Sequence, residues 1–161
     1  MLNGLEYSRS SPLRVCYRIA YLAARVWWFI RRPHTNGSLV ALWCDKRLLL
    51  VRTSYRPLYS LPGGFMKHGE TSLAAAEREL LEELALTVAS GFRLAWQGTI
   101  VYEHRTDSAT IWEASLEAAP SIRVDGAEVV WAGWKTAEEA LALPLLPAIE
   151  RYLRTRSQVD C

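Results

Sequence analysis

The sequence predicts an α/β protein whose strands and helices form one compact domain. A chain of 161 residues, half of them hydrophobic, can bury a substantial core without disulfides or structural metal. Along the chain the spacing of apolar residues switches between the alternation that is typical of strands and the helical period of about 3.6 residues. Charged residues make up 22% of the chain, which is usual for folded proteins and excludes intrinsic disorder.

The net charge and the cysteines narrow the class of protein. The net charge is only +2, so the chain as a whole gives no strong signal for nucleic acid or another polyanionic partner. Cys16, Cys44 and Cys161 are odd in number and have no C-x-x-C spacing, which argues against a disulfide framework and a thiolate zinc site. We therefore expect the protein in the reducing cytoplasm.

Residues 1–36 are predicted to be a tail followed by an amphipathic helix. Residues 1–12 are polar and lack a periodic apolar pattern, which predicts a frayed tail. Residues 13–32 have helical periodicity, and Pro33 ends the helix before a loop at residues 34–37. At 100° per residue the arginines lie within about 40° of one another, and the apolar residues occupy the other side. The arginines are Arg14, Arg18, Arg25 and Arg32, and the apolar residues are Val15, Ile19, Leu22, Val26, Phe29 and Ile30.

Two positions are open for this helix. Its apolar side could pack on the domain or on a second subunit of a homodimer, which leaves the arginines in water. Alternatively, the arginines meet anionic lipid headgroups while Trp27, Trp28 and Phe29 lie at the membrane boundary. We expect no transmembrane span, because the apolar run 19–30 contains Arg25 and is shorter than the roughly 20 residues that cross a bilayer. The basic end of the run also argues against a cleaved secretory signal.

The remaining residues, 37–161, are predicted to form the folded domain. Predicted strands are residues 38–44, 47–53, 92–103, 109–116 and 128–134, with turns at Asp45-Lys46 and at residues 106–108. Predicted helices are residues 71–84, 136–143 and 147–154, and Thr71 or Ser72 is expected to cap the first of them.

A Gly-rich loop that leads into an acidic helix is the segment that indicates chemistry. Gly63 and Gly64 leave backbone that can approach a ligand closely. Glu79, Glu82 and Glu83 are related by i, i+3 and i+4, so three carboxylates project from one side of the helix. Such like charges destabilise a helix by a few tenths of a kcal/mol per pair, and a bound cation would relieve them. Hard oxygen ligands favour Mg²⁺, or Mn²⁺ in its place.

For the acidic run alone, a solvated charged face is the simpler interpretation. The upstream glycines, together with Glu70 at the start of the helix, favour a site for phosphate and metal instead.

The same residues resemble the Nudix box. The family's pattern is G-x5-E-x7-R-E-U-x-E-E-x-G-U, in which U is a bulky aliphatic residue. The positions that match are Gly64, Glu70, Arg78, Glu79, Leu80, Glu82, Glu83 and Leu86. Ala85 stands where the family has Gly, a residue that usually ends the helix in a left-handed conformation. Because this conformation costs Ala on the order of 1 kcal/mol, we expect the helix to run on slightly or to turn differently.

The resemblance implies a fold, a reaction and a set of roles. The fold is an α/β/α sandwich with a mixed β-sheet over about residues 38–143, here preceded by the N-terminal amphipathic helix. The reaction is hydrolysis of a pyrophosphate linkage in a nucleoside diphosphate derivative, with Mg²⁺ or Mn²⁺ as cofactor. The three glutamates and the carbonyl of Gly63 would bind the metal, and one glutamate would act as base; which one varies within the family. Arg78 would orient the glutamates, and Glu70 would brace loop and helix.

Four further residues are candidates for the site. A Nudix hydrolase often draws another carboxylate from a later loop, and Glu128 is favoured over Glu103 for this part; the alternative is a surface residue. Arg52 and Arg56 flank the start of the Gly-rich loop and could contact substrate phosphate, unless they are solvated. Tyr102 lies where a Tyr resembles the dinucleoside polyphosphate branch of the family, although a Tyr in a strand can also serve packing.

Two functions remain open at this stage. The first is a metal-dependent hydrolase with a small-molecule nucleotide substrate. The second is a catalytically inactive Nudix-fold module that binds or senses a nucleotide. Inactive members usually lose acids of the box, and this sequence retains them all, which favours the enzyme. Substrate candidates include dinucleoside polyphosphates, ADP-ribose, nucleotide sugars, NADH, capped RNA ends and oxidised nucleoside triphosphates.

Overall fold

A mixed β-sheet lies at the centre of the protein. The structure is a computed structural model that describes residues 5–6, 12–89, 91–124 and 126–159. The strands are β1 (Leu5–Glu6), β2 (His34–Cys44), β3 (Arg47–Thr53), β4 (Tyr59–Ser60), β5 (Gly63–Phe65), β6 (Arg93–Tyr102), β7 (Arg105–Leu116) and β8 (Val129–Thr136). The helices are α1 (Pro12–Arg31), α2 (Ser72–Leu84), α3 (Ala137–Leu141) and α4 (Pro147–Val159). The strand order is β1-β8-β3-β2-β7-β6, with β4 paired to β3 and β5 to β2. β2 and β7 are parallel and their neighbours antiparallel, which confirms the predicted mixed sheet.

Hydrophobic side chains from both faces of the sheet are buried, because residues of the central strands alternate between the faces. On one face Val40, Leu42, Leu49 and Val51 pack with Ala76, Leu80 and Leu84 of α2. On the other face Ala41, Trp43, Leu48 and Leu50 pack with Ala140 of α3 and with Ile149, Tyr152 and Leu153 of α4. The predicted α/β/α sandwich is confirmed.

The turn between β2 and β3 and the start of α2 agree with their predictions. Asp45 and Lys46 both have positive φ, at 49° and 60°, as expected for the two-residue turn of a tight hairpin. Thr71 caps α2, and its hydroxyl accepts the backbone N–H of Ala74.

Two predicted loops belong to strands. Residues 34–37 were expected to be a loop, but β2 begins at His34, which pairs with Thr106 of β7. Residues 106–108 were expected to be a turn, but β7 begins at Arg105 and the turn is formed by Glu103 and His104, whose φ angles are 49° and 65°. Asp107 of this segment lines a cavity, so its polarity does not indicate a turn.

Two residues of the predicted N-terminal tail form a short strand. Leu5 and Glu6 pair with Ala132 and Trp131 of β8, so the expectation of a frayed tail is wrong there. Residues 1–4 and 7–11 of the predicted tail, and Cys161, lie outside the described residues.

Helix α2 ends at the departure from the box. Ala85 adopts the left-handed conformation itself, with φ 53° and ψ 35°, and its N–H donates to the carbonyls of Leu80 and Leu81. The expectation that Ala at this position makes the helix run on or turn differently is therefore wrong. These hydrogen bonds and the burial of Leu84 and Leu86 offset the cost of the conformation.

Helix α1 contacts the domain through the side opposite to the one expected. The side chains that face the domain recur every three or four residues at Arg14, Tyr17, Tyr21, Ala24 and Trp28. Trp28 is 7% exposed, whereas the predicted apolar side of the helix is exposed. Of the positions expected for this apolar side, packing on the domain is therefore wrong, and contact with a second subunit or a membrane stays a prediction.

Three arginines of α1 contact the domain, although Arg18 and Arg25 remain exposed to solvent. Arg14 Nε donates to the carbonyl of Gly126 at 2.9 Å, and Arg18 Nε donates to the carbonyl of Ser54 at 3.1 Å. Arg25 Nε lies 3.5 Å from the Glu103 carboxylate. Among the described residues no helix is long and apolar enough to cross a membrane.

Candidate active site

The Gly-rich loop fits closely between strand β2 and helix α2. Gly63 and Gly64 pair with Leu39 and Ser38. A Cβ at Gly63, whose φ is 140°, would lie 2.3 Å from the carbonyl oxygen of Ser38. A Cβ at Gly64 would lie 2.6 Å from Oε1 of Glu79. The two glycines therefore let the loop backbone lie directly against a carboxylate of α2.

Two glutamates one turn apart on α2 face this loop. Glu79 lies against Gly64, as just described. Glu83 is 7% exposed, and its Oε2 accepts the backbone N–H of Gly63 at 3.0 Å. Glu82 is on the exposed neighbouring side of the helix, with Oε1 3.9 Å from Nζ of Lys67. The i, i+3 and i+4 spacing thus places three carboxylates along the loop.

Arg78 joins these carboxylates to the loop. Its Nη1 donates to Oε1 of Glu79 at 2.6 Å and to Oε2 of Glu82 at 3.2 Å. Its Nη2 donates to the carbonyl of Phe65 at 3.2 Å. One planar guanidinium therefore fixes two glutamates relative to β5.

Glu70 completes the connection between loop and helix. Its carboxylate accepts Arg78 Nε at 2.9 Å and Nη2 at 3.1 Å, a bidentate pair. It also accepts the backbone N–H of Lys67 at 2.9 Å. The hydrogen bonds from Arg78 and then Lys67 lower the pKa of Glu70 to about 2, so the residue is a carboxylate at neutral pH.

A cavity of about 430 Å³ opens beside the loop, and its wall contains both charged and apolar side chains. Its volume falls within the range of about 300–1,000 Å³ that is typical of small-molecule sites. The charged lining residues include Lys67, Arg78, Glu79, Glu82 and Glu128, and the apolar ones include Leu39, Ile100, Ala109, Leu146, Pro147 and Ala148. The cavity can hold a ligand with one ionic and one apolar part.

Glu128 is part of this cavity and Glu103 is not among its lining residues. Tyr55 donates its hydroxyl to Oε1 of Glu128 at 2.7 Å. Burial, and then the charge of Glu128, raises the pKa of Tyr55, which keeps the hydroxyl as a donor. Glu103 instead accepts the hydroxyl of Tyr21 and contacts Arg25, so it anchors α1.

The donors of the cavity fit a hard divalent cation in their chemistry. Carboxylate oxygens of Glu79, Glu82 and Glu128 and the backbone of Gly63 line its wall, and Mg²⁺ and Mn²⁺ prefer oxygen ligands. Absence of a Cβ at Gly64 leaves room for the Glu79 carboxylate beside the loop. Within the described part of the chain, no three His, Cys, Asp or Glu side chains already converge as a metal site.

A family assignment follows from comparison with known proteins. The family model described as NUDIX domain matches residues 33–155, more than half of the chain. The chain belongs to the Nudix family. The resemblance carried by the box is thereby confirmed.

This Nudix chain also shares its fold with solved structures. The MutT protein from Methanosarcina mazei Go1 has a TM-score of 0.70 at 17% identity, over 81% of this chain and 97% of that one. A C. elegans Ap4A hydrolase in a binary complex has a TM-score of 0.67 at 20% identity, over 78% and 97%. The NUDIX domain of Shewanella oneidensis NrtR, solved with ADP ribose, has a TM-score of 0.66 at 18% identity, over 78% and 88%. Comparison with curated protein sequences gives no match.

The three substrate-binding candidates of the Nudix chain are divided between two cavities. Arg56 and Tyr102 line the cavity. Arg56 Nε donates to the Tyr21 hydroxyl at 3.0 Å, so α1 helps to position its guanidinium. Arg52 lines a second cavity of about 480 Å³, which shares Tyr55 and Arg56 with the first. The sequence analysis predicted the same role, contact with substrate phosphate, for Arg52 and Arg56. Only Arg56 lines the cavity that also contains Glu79 and Glu82.

Arg105 and Asp107 line the cavity and were missed by the sequence analysis. Arg105 is buried, its Nε donates to both carboxylate oxygens of Asp107 at 2.7 and 2.8 Å, and its guanidinium carbon lies 4.0 Å from the centre of the Trp28 ring. The wrongly predicted turn at residues 106–108 concealed them. The signal that could have found them is alternation: Arg105, Asp107 and Ala109 share one face of a strand.

Proposed function

We propose that this Nudix protein is a metal-dependent hydrolase that splits a pyrophosphate linkage in a nucleoside diphosphate derivative. Membership of the Nudix family supports pyrophosphohydrolase activity in general. The observation that carries the proposal is the cavity, whose wall contains both carboxylates, those of Glu79, Glu82 and Glu128, and apolar side chains. The carboxylates suit a metal-bound diphosphate, and the apolar side chains suit a nucleobase.

In this proposal Glu79, Glu82 and Glu83, together with the carbonyl of Gly63, would hold Mg²⁺ or Mn²⁺, and Glu128 would add a further carboxylate from the cavity wall. A divalent metal held there would supply positive charge to neutralise the diphosphate and would make water a better nucleophile near neutral pH. Glu83 also keeps Gly63 in place through the 3.0 Å hydrogen bond to its N–H. One of the box glutamates takes the proton of the attacking water.

Arg78 acts as the positioning residue in this proposal. Its contacts with Glu79 and Glu82, at 2.6 and 3.2 Å, set the direction of both carboxylates. The bidentate pair with Glu70 holds Arg78 itself at the end of the loop. Glu70 thus acts on the site through Arg78 rather than by contact with substrate.

For the substrate, we propose that the cationic side chains contact phosphate and the aromatic ones the nucleoside. Arg56 lies in the cavity wall and is shared with the second cavity, where Arg52 could contact a longer phosphate chain. Tyr102 lies beside the apolar part. This arrangement supports dinucleoside polyphosphates as the first substrates to test and ADP-ribose as the next.

The experiment is a hydrolysis assay with product identification. Wild type and the variants Glu79→Gln, Glu82→Gln and Glu83→Gln are assayed on nucleoside diphosphate derivatives with Mg²⁺, with Mn²⁺, and after chelation. We expect chelation to abolish turnover and each variant to lower kcat/KM by about a hundredfold or more, because each removes a charge that would hold the metal. The matched control is Glu77→Gln, an exposed glutamate of the same helix that does not line the cavity. Equal loss in the control, or activity that survives chelation, would contradict the assignment.

One observation favours a second candidate, a module that binds a nucleotide without cleaving it. Arg78 Nη1 already contacts two of the acids that would hold the metal, so a protein cation partly neutralises them. Tight binding of ADP-ribose or a dinucleoside polyphosphate, with no turnover of any compound tested, would establish this candidate in place of the hydrolase.

We further propose that residues 37–161 are the catalytic domain and that the enzyme acts in the cytoplasm. Cys16 and Cys44 form no disulfide, and disulfides are rare in a reducing compartment. Burial raises the pKa of Cys44 and keeps it a thiol.

A further inference from the structure

Helix α1 presents a continuous apolar surface to solvent. Eight of its large apolar side chains are between 50% and 69% exposed, namely Leu13, Val15, Ile19, Leu22, Val26, Trp27, Phe29 and Ile30. Single exposed apolar residues are common on proteins, but a contiguous group of this size marks an interaction surface.

The apolar surface is uniform and has basic margins. At 100° per residue, the side chains from Phe29 round to Ala20 cover about 180° of the helix circumference without a charged residue. Arg18 and Arg25 lie beyond one margin, and Arg31 lies at the other. The helix contains no acidic residue. Its surface therefore combines a wide apolar half with positive charge alone.

The contacts of α1 with the domain fix this surface outwards. The Tyr21 hydroxyl bonds Glu103, and the buried Trp28 packs under the Arg105 guanidinium. Arg14 Nε reaches the carbonyl of Gly126 at 2.9 Å. Because these contacts use the opposite side of the helix, the apolar half cannot turn inwards without losing them.

We propose that the apolar half of α1 lies in the surface of an anionic lipid bilayer, with the helix parallel to the membrane. Arg18, Arg25 and Arg31 then stand at the level of the headgroups, whose negative charge they match. Trp27 and Phe29 enter the boundary between headgroups and acyl chains, where aromatic side chains of interfacial helices lie. The protein is thus attached at one face and does not span the membrane.

A second copy of the chain fits the same surface less well. In a symmetric pair each surface patch meets its own counterpart. Two α1 helices packed through their apolar halves would bring the arginine margins of both copies together. Neither helix contains an acidic residue, and Glu103 of the domain, which contacts Arg25, leaves Arg18 and Arg31 to repel their counterparts. Anionic headgroups relieve this repulsion, whereas a second copy creates it.

The test is co-sedimentation of the full chain with vesicles. Vesicles of equal parts phosphatidylglycerol and phosphatidylcholine are compared with vesicles of phosphatidylcholine alone, at low and high salt. We expect the protein to pellet with the anionic vesicles at low salt, and less at high salt or with neutral vesicles. Wild type that stays in the supernatant with anionic vesicles at low salt would overturn the proposal.

Paired variants assign the binding to α1. Leu22→Gln with Val26→Gln places two polar side chains in the apolar half, and we expect the partition coefficient to fall about tenfold or more. The matched control is Leu94→Gln with Val101→Gln, two residues of β6 that are also more than half exposed; it should bind as wild type does. Equal loss in both pairs would overturn the role of α1. Both pairs replace exposed side chains, and unchanged circular dichroism confirms that they are folded.

Two measurements separate insertion from other modes of contact. The first uses lipids that are brominated in the acyl chain. They should quench the tryptophan fluorescence of the bound wild type more than that of a bound Trp27→Phe variant. Equal quenching would show that Trp27 does not reach the acyl chains and would overturn the proposed insertion. Sedimentation velocity without lipid should show a monomer. A dimer that Leu22→Gln with Val26→Gln dissociates, in a protein that does not bind vesicles, would assign the surface to self-association.

Discussion

Ala85 occupies a backbone conformation that glycine adopts more readily. At φ 53° and ψ 35° an L-residue with a Cβ is disfavoured by about 1–2 kcal/mol. Glycine avoids this cost but is more flexible in the unfolded chain, by about 0.4–1 kcal/mol. The difference favours glycine at this position.

We therefore expect Ala85→Gly to raise the free energy of unfolding by about 0.5–1 kcal/mol, measured by urea denaturation. The control Ala74→Gly changes an exposed alanine within the right-handed part of the same helix. It should lower the free energy of unfolding by about 0.5–1 kcal/mol. A loss of stability in both variants would show that the left-handed end of α2 is not strained.

The sequence identified residues of the site where chemistry and spacing coincide. Glu79, Glu82 and Glu128 line the cavity. The fixed spacing of the Nudix box identified Glu79 and Glu82, and the position of a carboxylate just before a predicted strand identified Glu128. Arg105 and Asp107 carry no such signal, because a polar pair at the start of a strand has the composition of a turn. Their position depends on the pairing of β7 with β2, which local sequence does not determine.

The junction between the Gly-rich loop and α2 depends on the charge of Glu70. Hydrogen bonds from Arg78, and from the backbone of Lys67, lower its pKa from 4.5 to about 2. A depressed pKa means that the folded state favours the carboxylate. Its contribution to stability is therefore complete above about pH 4.5 and is lost as the pH falls through about 2.

From this linkage we expect a pH-dependent effect of Glu70→Gln. The variant should be less stable than wild type at neutral pH, and the difference in free energy of unfolding should shrink as the pH falls from about 4.5 towards about 2. Urea denaturation of both proteins across this range measures it. A difference that stays constant with pH would show that Arg78 does not depend on the charge of Glu70.

At the scale of the element, α1 shows what a periodic pattern can and cannot predict. The sequence correctly separated a side with arginines from an apolar side that includes Ile19. It left three positions open for the apolar side, on the domain, on a second subunit or in a membrane surface, and packing on the domain is expected because it usually stabilises a helix. Trp28 and Tyr21 contact the domain instead. The Trp28 ring packs against the Arg105 guanidinium, and the Tyr21 hydroxyl donates to the Glu103 carboxylate. Periodicity shows which residues share a side but not what that side meets.

For the molecule as a whole, a buried glutamate joins α4 to the sheet. Glu113 of β7 is 2% exposed and accepts the Tyr152 hydroxyl at 2.6 Å, Arg93 Nη2 at 2.6 Å and Arg156 Nε at 3.2 Å. Burial alone would raise its pKa, but the hydrogen bonds from Tyr152 and Arg156 lower it. Two layers of the sandwich therefore depend on one negative charge.

Glu113→Gln should lower the free energy of unfolding by about 2 kcal/mol at pH 7, because charged hydrogen bonds at a buried position are lost. The control is Glu150→Gln on α4, which removes an exposed pair with Arg154 and should change stability by less than about 0.5 kcal/mol. Chemical denaturation of both variants measures the contrast. Similar changes in the free energy of unfolding for the two substitutions would show that the buried charge of Glu113 stabilises the fold no more than an exposed ion pair does.

Strand pairing was the part of the fold that local patterns could not supply. The predicted hairpin at Asp45-Lys46 needed only adjacent residues. The mixed character of the sheet was predicted only from the resemblance to the Nudix family. Thr35 and Asp107 pair although they are 72 positions apart in the sequence. Alternation of apolar residues within one strand is the same whichever strand lies beside it, so it does not reveal this pairing.

The parallel pairing of β2 with β7 has a consequence for synthesis of the protein. A parallel pair cannot close as a local hairpin, and contacts over long sequence separations form slowly. Gly37 and Leu39 of one strand and Asp107 and Ala109 of the other are walls of the cavity. A chain emerging from the ribosome therefore contains the whole box, which ends at Leu86, before β7 has been synthesised and can complete the wall of the cavity.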